Sequence, residues 1–325
     1  MRGKLARLIG CTAALALALG ALAACGSSAQ RTQTTTATTP QAGAGQGPTV
    51  HFTGYVPGTV YMGVGPDELS LDAYRLSGPL SKTERLTYSP VGLGIQALGA
   101  NQHNVVISRV CCGGLEFMEQ LKVDRRGGLP GVVLGSGNAE SIAPDGQFAY
   151  FVQNYPGCKC DALLVRPSLL GTGRVIYREP HPGMILSAVW SPTNRLAILV
   201  GTYKADGTLV NNEVILYPGT AQQRIINPGA MIDAQAGIWW GPHGELSYEL
   251  TGLQLQLVVR YSSGQTRSFL LGDWHATCWL PNDTIFGVDL LKDSFGMLNP
   301  TTGGTFKRIG GFPNDATLYV LDCPH

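Results

Sequence analysis

The sequence predicts an all-β fold: a six-bladed β-propeller whose C-terminal strand closes the first blade. Three observations predict it. The 325 residues contain 43 Gly and 20 Pro, more than a helical protein tolerates. Short β-rich runs alternate with Gly, Pro, Asn and Asp, with no sustained helical period. Two kinds of segment recur at the spacing of four-stranded units.

The first recurring segment is an apolar strand, a Pro- or Asn-centred turn and a second apolar strand. It reads Ser141-Ile-Ala-Pro-Asp-Gly-Gln-Phe-Ala-Tyr-Phe-Val152 and Val189-Trp-Ser-Pro-Thr-Asn-Arg-Leu-Ala-Ile-Leu-Val200. It returns as Trp239-Trp-Gly-Pro-His-Gly-Glu-Leu-Ser-Tyr248 and Cys278-Trp-Leu-Pro-Asn-Asp-Thr-Ile-Phe-Gly-Val288, with a weaker copy over Ala97–Ile107. The turn prolines Pro144, Pro192, Pro242 and Pro281 are 48, 50 and 39 residues apart. The second segment is a hairpin with a Gly-containing turn. Its six copies are Leu71–Thr87, Phe117–Leu134, Ala162–Tyr177, Glu213–Ile226, Gln256–Leu271 and Phe295–Ile309. One unit lacks an inner strand, and Ala316–Leu321 supplies it, placing the end of the chain beside its beginning and removing a free sheet edge.

The turn Ala143-Pro144-Asp145-Gly146, followed by Phe148 and Tyr150, resembles the repeat of TolB-type β-propellers. Trp190-Ser191-Pro192 keeps half of that motif. The resemblance implies a fold, and a role as a protein-interaction platform or as the non-catalytic partner of a hydrolase domain. No hydrolase segment is recognisable up to His325, so the platform is expected.

The first residues read as an address. Arg2, Lys4 and Arg7 precede an apolar stretch, Leu8–Leu22, too short for a comfortable membrane span. Leu22-Ala23-Ala24-Cys25 resembles a bacterial lipobox, which implies cleavage after residue 24 and lipidation of Cys25. Acyl chains there would hold the protein on the extracytoplasmic face of the membrane. Residues 26–49 hold one charge, Arg31, and almost no large apolar group. They are expected to form a tether of roughly 25–30 Å mean span, leaving 50–325 as the propeller.

Charge excludes some partners. The chain has 23 Lys+Arg against 22 Asp+Glu, and loss of residues 1–24 leaves 20 against 22. No basic field for nucleic acid remains.

Six cysteines remain beyond Cys11 and Cys25, and an even count in an exported chain reads as disulfides. Cys111, Cys112, Cys158 and Cys160 fall between the second and third strands of consecutive blades. Two bridges between those pairs are expected. Cys278 and Cys323 fall on inner strands that meet at the closure, and a third bridge is expected there. A thiolate metal site is the alternative reading, without clustered His to support it.

No nucleophile elbow, HExxH, phosphate loop or EF-hand occurs, and the six His lack metal-ligand spacing. No metal or cofactor is expected. Trp274 and His275 begin an inner strand; Glu140 and Gln235 occupy similar places, and Asp233 and His181 precede such strands. Together they form the candidate pocket at a channel mouth. Trp190, Trp239, Trp240 and Trp279 are expected to pack between blades. The expected function is a membrane-tethered binding module for an unidentified protein or small molecule, without catalysis of its own. The rival is an extracytoplasmic lyase, lactonase or hydrolase using the channel mouth.

Overall fold

The computed structural model describes residues 50–66, 71–87, 95–101, 104–111, 115–121, 132–217, 223–225, 231–232, 237–252, 254–313 and 316–324. Cys25, Cys112, Asp233 and Gln235 lie outside them, as does the Cys111 side chain. Among the described residues no helix is long and apolar enough to cross a membrane.

Antiparallel strands account for nearly all of the regular structure. The described residues open with β1 (Thr53–Gly65), β2 (Asp72–Pro79) and β3 (Glu84–Arg85). A four-stranded meander follows: β4 (Ile95–Ala100), β5 (Val105–Cys111), β6 (Leu115–Leu121) and β7 (Val132–Ser136). The next is β8 (Asn138–Ile142), β9 (Phe148–Val152), β10 (Cys160–Arg166) and β11 (Arg174–Pro180). Then come β12 (Gly183–Trp190), β13 (Leu196–Tyr203), β14 (Leu209–Tyr217) and β15 (Gln223–Ile225). A further sheet has two short first pieces, β16 (Met231–Ile232) and β17 (Ile238–Trp240), both paired with β18 (Leu246–Thr251), followed by β19 (Gln256–Arg260) and β20 (Thr266–Leu270). The last strands are β21 (Trp274–Trp279), β22 (Ile285–Asp289), β23 (Ser294–Leu298), β24 (Lys307–Gly311) and β25 (Thr317–Asp322).

The final strand returns to the first. β25 pairs with β1, Met62 opposite Val320 and Val64 opposite Leu318. β1 also touches β24 through Thr53–Gly311 and Gly54–Gly310, which merges β21–β24 with β25, β1, β2 and β3 into one eight-stranded sheet. That junction needs glycine. A Cβ on Gly54 would sit 2.1 Å from the Ile309 carbonyl, and its φ is +110°. Gly54→Ala is expected to lower unfolding free energy by roughly 3 kcal/mol, from left-handed strain and overpacking. Gly78→Ala shares a positive φ, but meets nothing nearer than 4.0 Å, and should cost only about 1 kcal/mol. Equal losses in denaturant titrations would show that the close approach is unimportant.

Strand chemistry follows position in each sheet. β13 is a continuous apolar run, Leu196-Ala-Ile-Leu-Val200, buried on both faces, as suits a second strand covered from either side. β11 and β20, at the outer edges, carry Arg, Glu and Thr; β11 has no fully buried residue and β20 is mostly exposed. Apolar side chains fill the space between successive four-strand units. Tyr61 and Ala73 meet Leu98 and Ile107, and Val106 and Met118 meet Phe148 and Tyr150. Phe151 and Leu163 meet Ile185 and Ile198; Leu199 and Val214 meet Trp240 and Tyr248. Leu257 and Val259 meet Trp279 and Ile285, and Phe286 and Phe295 meet Val60 and Met62. Each fully buried Phe here, such as Phe148 or Phe286, contributes about 1.5–3 kcal/mol of transfer free energy.

The innermost strand of a sheet has one edge without a ladder partner, so its N–H groups need other acceptors. The neighbouring unit supplies them from side chains. Asp322 Oδ2 accepts from Ala100 N (2.7 Å), Ser108 Oγ from Ala139 N (2.6 Å) and Glu140 Oε2 from Ala188 N (2.8 Å). Asn212 Oδ1 accepts from Ile232 N at 2.9 Å, and Glu249 Oε1 accepts from Ala276 N. The inner strands are also bulged: β4, β8, β12, β21 and β25 each slip one residue against their partner, at Gln96, Glu140, Leu186, Thr277 and Leu321. A bulge re-aims the side chain at the slip, and at Glu140 that residue reaches across the seam.

Two disulfides are present among the described residues. Cys278 and Cys323, both buried, join β21 to the end of β25 with Cα atoms 5.8 Å apart. The second corrects the sequence expectation: Cys158 bonds Cys160 and not Cys111 or Cys112. The chain between β9 and β10 folds back on itself, with Tyr155 N donating to Cys160 O and Cys158 N to Tyr155 O. That turn brings the two Cα atoms to 5.3 Å, within bonding range.

Candidate functional site

One cavity of about 70 Å³ is lined from the ends of the inner strands β4, β8, β12, β17 and β21 and from the end of β25. Its apolar wall is Ile142, Val189, Trp190, Trp239, Trp240 and Trp279, with Pro144, Pro192 and Pro324 at its rim. Asn101, Ser141, Ser191 and Asp322 supply the polar atoms. The arrangement follows from the repeat: the residue closing each inner strand precedes a tight turn, and in β12, β17 and β21 that residue is Trp.

Most polar atoms of this wall are engaged. Trp240 Nε1 donates to Val189 O at 3.1 Å, and Trp279 Nε1 to Ser247 Oγ at 2.7 Å. Ser141 Oγ donates to Ala188 O and accepts from Trp190 N, and Ser191 Oγ accepts from Arg195 N. Trp190 Nε1 differs: it is buried and has no hydrogen-bond partner. A buried donor left unmade costs about 1–3 kcal/mol. Among the described residues, Asp322 is the single titratable group on the wall outside the disulfide. Burial pushes its carboxyl up to about 7, against the lowering effect of the Ala100 and Cys323 N–H groups.

The sequence-derived pocket residues sit elsewhere: Glu140, His181, Trp274 and His275 do not line this cavity. Glu140 spans from β8 to β12, and burial pushes its carboxyl to about 8 despite bonds from Ala188 N and Ser187. His181 Nε2 lies 3.7 Å from Asp161 Oδ1 on β10. Asp161 also takes the N–H groups of Asn154 and Ile185, and burial raises its pKa. Trp274 stacks on Phe306, centroids 5.2 Å apart, and covers Gly296 within its own sheet. His275 Nδ1 is 3.4 Å from Glu249 Oε2 on β18. Glu140 and the His181–Asp161 pair lie at the seam with β12, His275 at that between β18 and β21, and Trp274 within its own sheet. Asp233 and Gln235 lie outside the described residues. The tryptophans read as packing groups do pack, Trp240 and Trp279 being 4% and 3% exposed, yet they also form the cavity wall.

Sequence reading missed Asp161, Glu249 and Asp322. A signal was present. Each is an acid inside an apolar strand, in Cys-Asp-Ala-Leu-Leu, Ser-Tyr-Glu-Leu and Val-Leu-Asp-Cys, and buried acids need partners. Among the described residues no group of three or more His, Cys, Asp or Glu is placed to hold a metal ion.

No family model matches the sequence, and no curated protein matches it. Solved structures do. A structure of a nidogen/laminin complex superposes with a TM-score of 0.56 at 11% identity, covering 82% of this chain and 99% of that one. TolB from Acinetobacter baumannii gives 0.54 at 9% identity over 80% of this chain and 64% of TolB. A Mycobacterium tuberculosis puromycin-hydrolyzing peptidase gives 0.52 at 16%, over 76% of this chain and 42% of the peptidase. At such identities the likeness concerns architecture alone, and with the nearly all-β sheets above it makes this chain a protein of β-propeller fold.

Proposed function

We propose that the chain is a closed six-bladed propeller, lipid-anchored through Cys25 on the extracytoplasmic face, that binds a partner in the cavity without catalysis of its own. The eight-stranded sheet divides at the β1–β24 contact into two blades, one of them completed by β25. Six apolar clusters, each between successive four-strand units, and the Cys278–Cys323 bond support the closure. Residues 25–49 carry the blades away from the membrane.

The partner is an apolar group that carries a hydrogen-bond acceptor, such as a peptide side chain beside its own carbonyl. The carrying observation is Trp190 Nε1, a buried donor without a partner on an aromatic wall, which a turn of the ring toward the cavity would present to a ligand. Tryptophan and proline walls with an indole donor suit extended, carbonyl-rich chains. The wall serines are bonded to main chain and to Thr193, not to a base, which favours binding over acyl transfer.

Trp190→Phe keeps the ring and removes the donor. Random-peptide panning on the full chain in detergent should enrich a consensus whose affinity falls about tenfold in this variant, the weight of one hydrogen bond, with an equal or higher Tm. Lack of any enrichment, or equal binding by Trp190→Phe and Trp190→Ala, would refute the reading. The enzyme alternative rests on Asp322, whose carboxyl is held at about 7 on the cavity wall, a value suited to a general acid. Turnover of esters or lactones that disappears in Asp322→Asn would favour it.

A further inference from the structure

The turn between β9 and β10 lies apart from the cavity. Its Cys158–Cys160 bond spans a sequence separation of 2, against 45 for Cys278–Cys323. A bond across so few residues removes little freedom from the open chain. The turn does not depend on it either, since Tyr155 N on Cys160 O (2.8 Å) and Cys158 N on Tyr155 O (3.2 Å) close it through the main chain. The two sulfurs are unequal: Cys160 is 4% exposed and Cys158 is half-buried at the surface turn. Exposed Lys159 stands between them, and His181 N donates to Lys159 O at 3.0 Å. Arg178 lies over the Tyr155 ring. Asp161 and Glu179 are the acids alongside, the first engaged by Asn154 and Ile185 N–H groups and the second by the Tyr177 hydroxyl.

We propose that Cys158–Cys160 is a thiol–disulfide exchange site that passes its disulfide to a dithiol on an exported protein. A thiolate of the dithiol attacks Cys158 Sγ, the accessible sulfur. The Cys158–Cys160 bond breaks, a mixed disulfide forms, and Cys160 leaves as a thiolate and takes up a proton. The second thiol of the substrate loses its proton and attacks its own mixed-disulfide sulfur, releasing Cys158. The substrate dithiol is oxidised by two electrons and the Cys158–Cys160 pair is reduced by two. A small disulfide of the glutathione-disulfide class reverses the change. Cys278–Cys323, buried at both ends, takes no part.

The test uses the full chain, purified in detergent from an oxidising compartment. Peptide mapping without reductant first fixes the linkage. The protein is then equilibrated with reduced and oxidised glutathione, trapped by alkylation and read by mass spectrometry. Half of Cys158–Cys160 should open at a [GSH]²/[GSSG] about tenfold or more below that opening Cys278–Cys323. A reduced peptide with two cysteines should be oxidised at one equivalent per chain by the wild type and not by C158S/C160S, whose melting temperature serves as the fold control. The proposal is overturned if either cysteine is bonded to Cys111 or Cys112, if the pair opens no sooner than Cys278–Cys323, or if C158S/C160S oxidises the peptide at the wild-type rate.

Discussion

Replacing Cys278 and Cys323 together with alanine is expected to lower unfolding free energy by about 4 kcal/mol, from the entropy of closing a loop this long. The bond ties β21 to the last strand over a separation of 45 residues, and both sulfurs are buried beside Leu280, Phe286 and Val288. The expected shift in Tm is on the order of 10 °C for a domain of this size. The same treatment of Cys158 and Cys160, separated by 2 residues, should cost only about 1.5 kcal/mol. Denaturant titrations of both double variants, without reductant, decide the matter. If the Cys158/Cys160 variant loses as much as the Cys278/Cys323 variant, the long bond is not what holds the ends together.

The second large effect is a dependence on pH. Burial raises the Glu140 carboxyl from 4.5 to about 8 and the Asp322 carboxyl from 3.8 to about 7. Between 4.5 and about 8 the folded protein keeps a proton on Glu140 that the unfolded chain has released. The folded state therefore binds more protons, and stability must fall as pH rises through that window. The full contribution is present below the unfolded value and is gone above the folded one. Its size is on the order of 5 kcal/mol for Glu140. Asp322 adds a similar slope over its lower window. Glu140→Gln keeps a carbonyl for Ala188 N and has no proton to lose. Its unfolding free energy should match the wild type at pH 5 and exceed it by several kcal/mol at pH 9, in guanidinium titrations at both values. Parallel pH curves for variant and wild type would show that this carboxyl is not buried as described.

Much of the fold was legible because the repeat is written in strand chemistry. The six hairpins read from Gly-containing turns correspond to the ladders β2–β3, β6–β7, β10–β11, β14–β15, β19–β20 and β23–β24. Counting strands places Ala316–Leu321 beside the first strands, and β25 lies against β1. The site was less legible, for two physical reasons. A bulge turns one side chain out of alternation, so the register that should have aimed Glu140 at an open mouth aims it across a seam. Side chains at opposite ends of an inner strand also look alike in sequence, and Trp274 and Trp279 begin and end β21. Burial separates them: the first stacks on Phe306, and the second meets the cavity with its indole N–H tied to Ser247. The cysteine pairing failed because the reach of a turn onto itself is set by its backbone, which spacing between blades does not reveal.

The acceptors that cross the seams have a consequence for assembly. They are an Asp, a Ser, two Glu and an Asn, set at different places on different strands. Repeat units with interchangeable joints can dock out of sequence or capture a unit from another molecule. Here an exchange between joints with unlike acceptors would strand a main-chain donor against a neighbour not placed to receive it. The order of the units is thus written into their joints, and divergence among the copies guards against misassembly during folding.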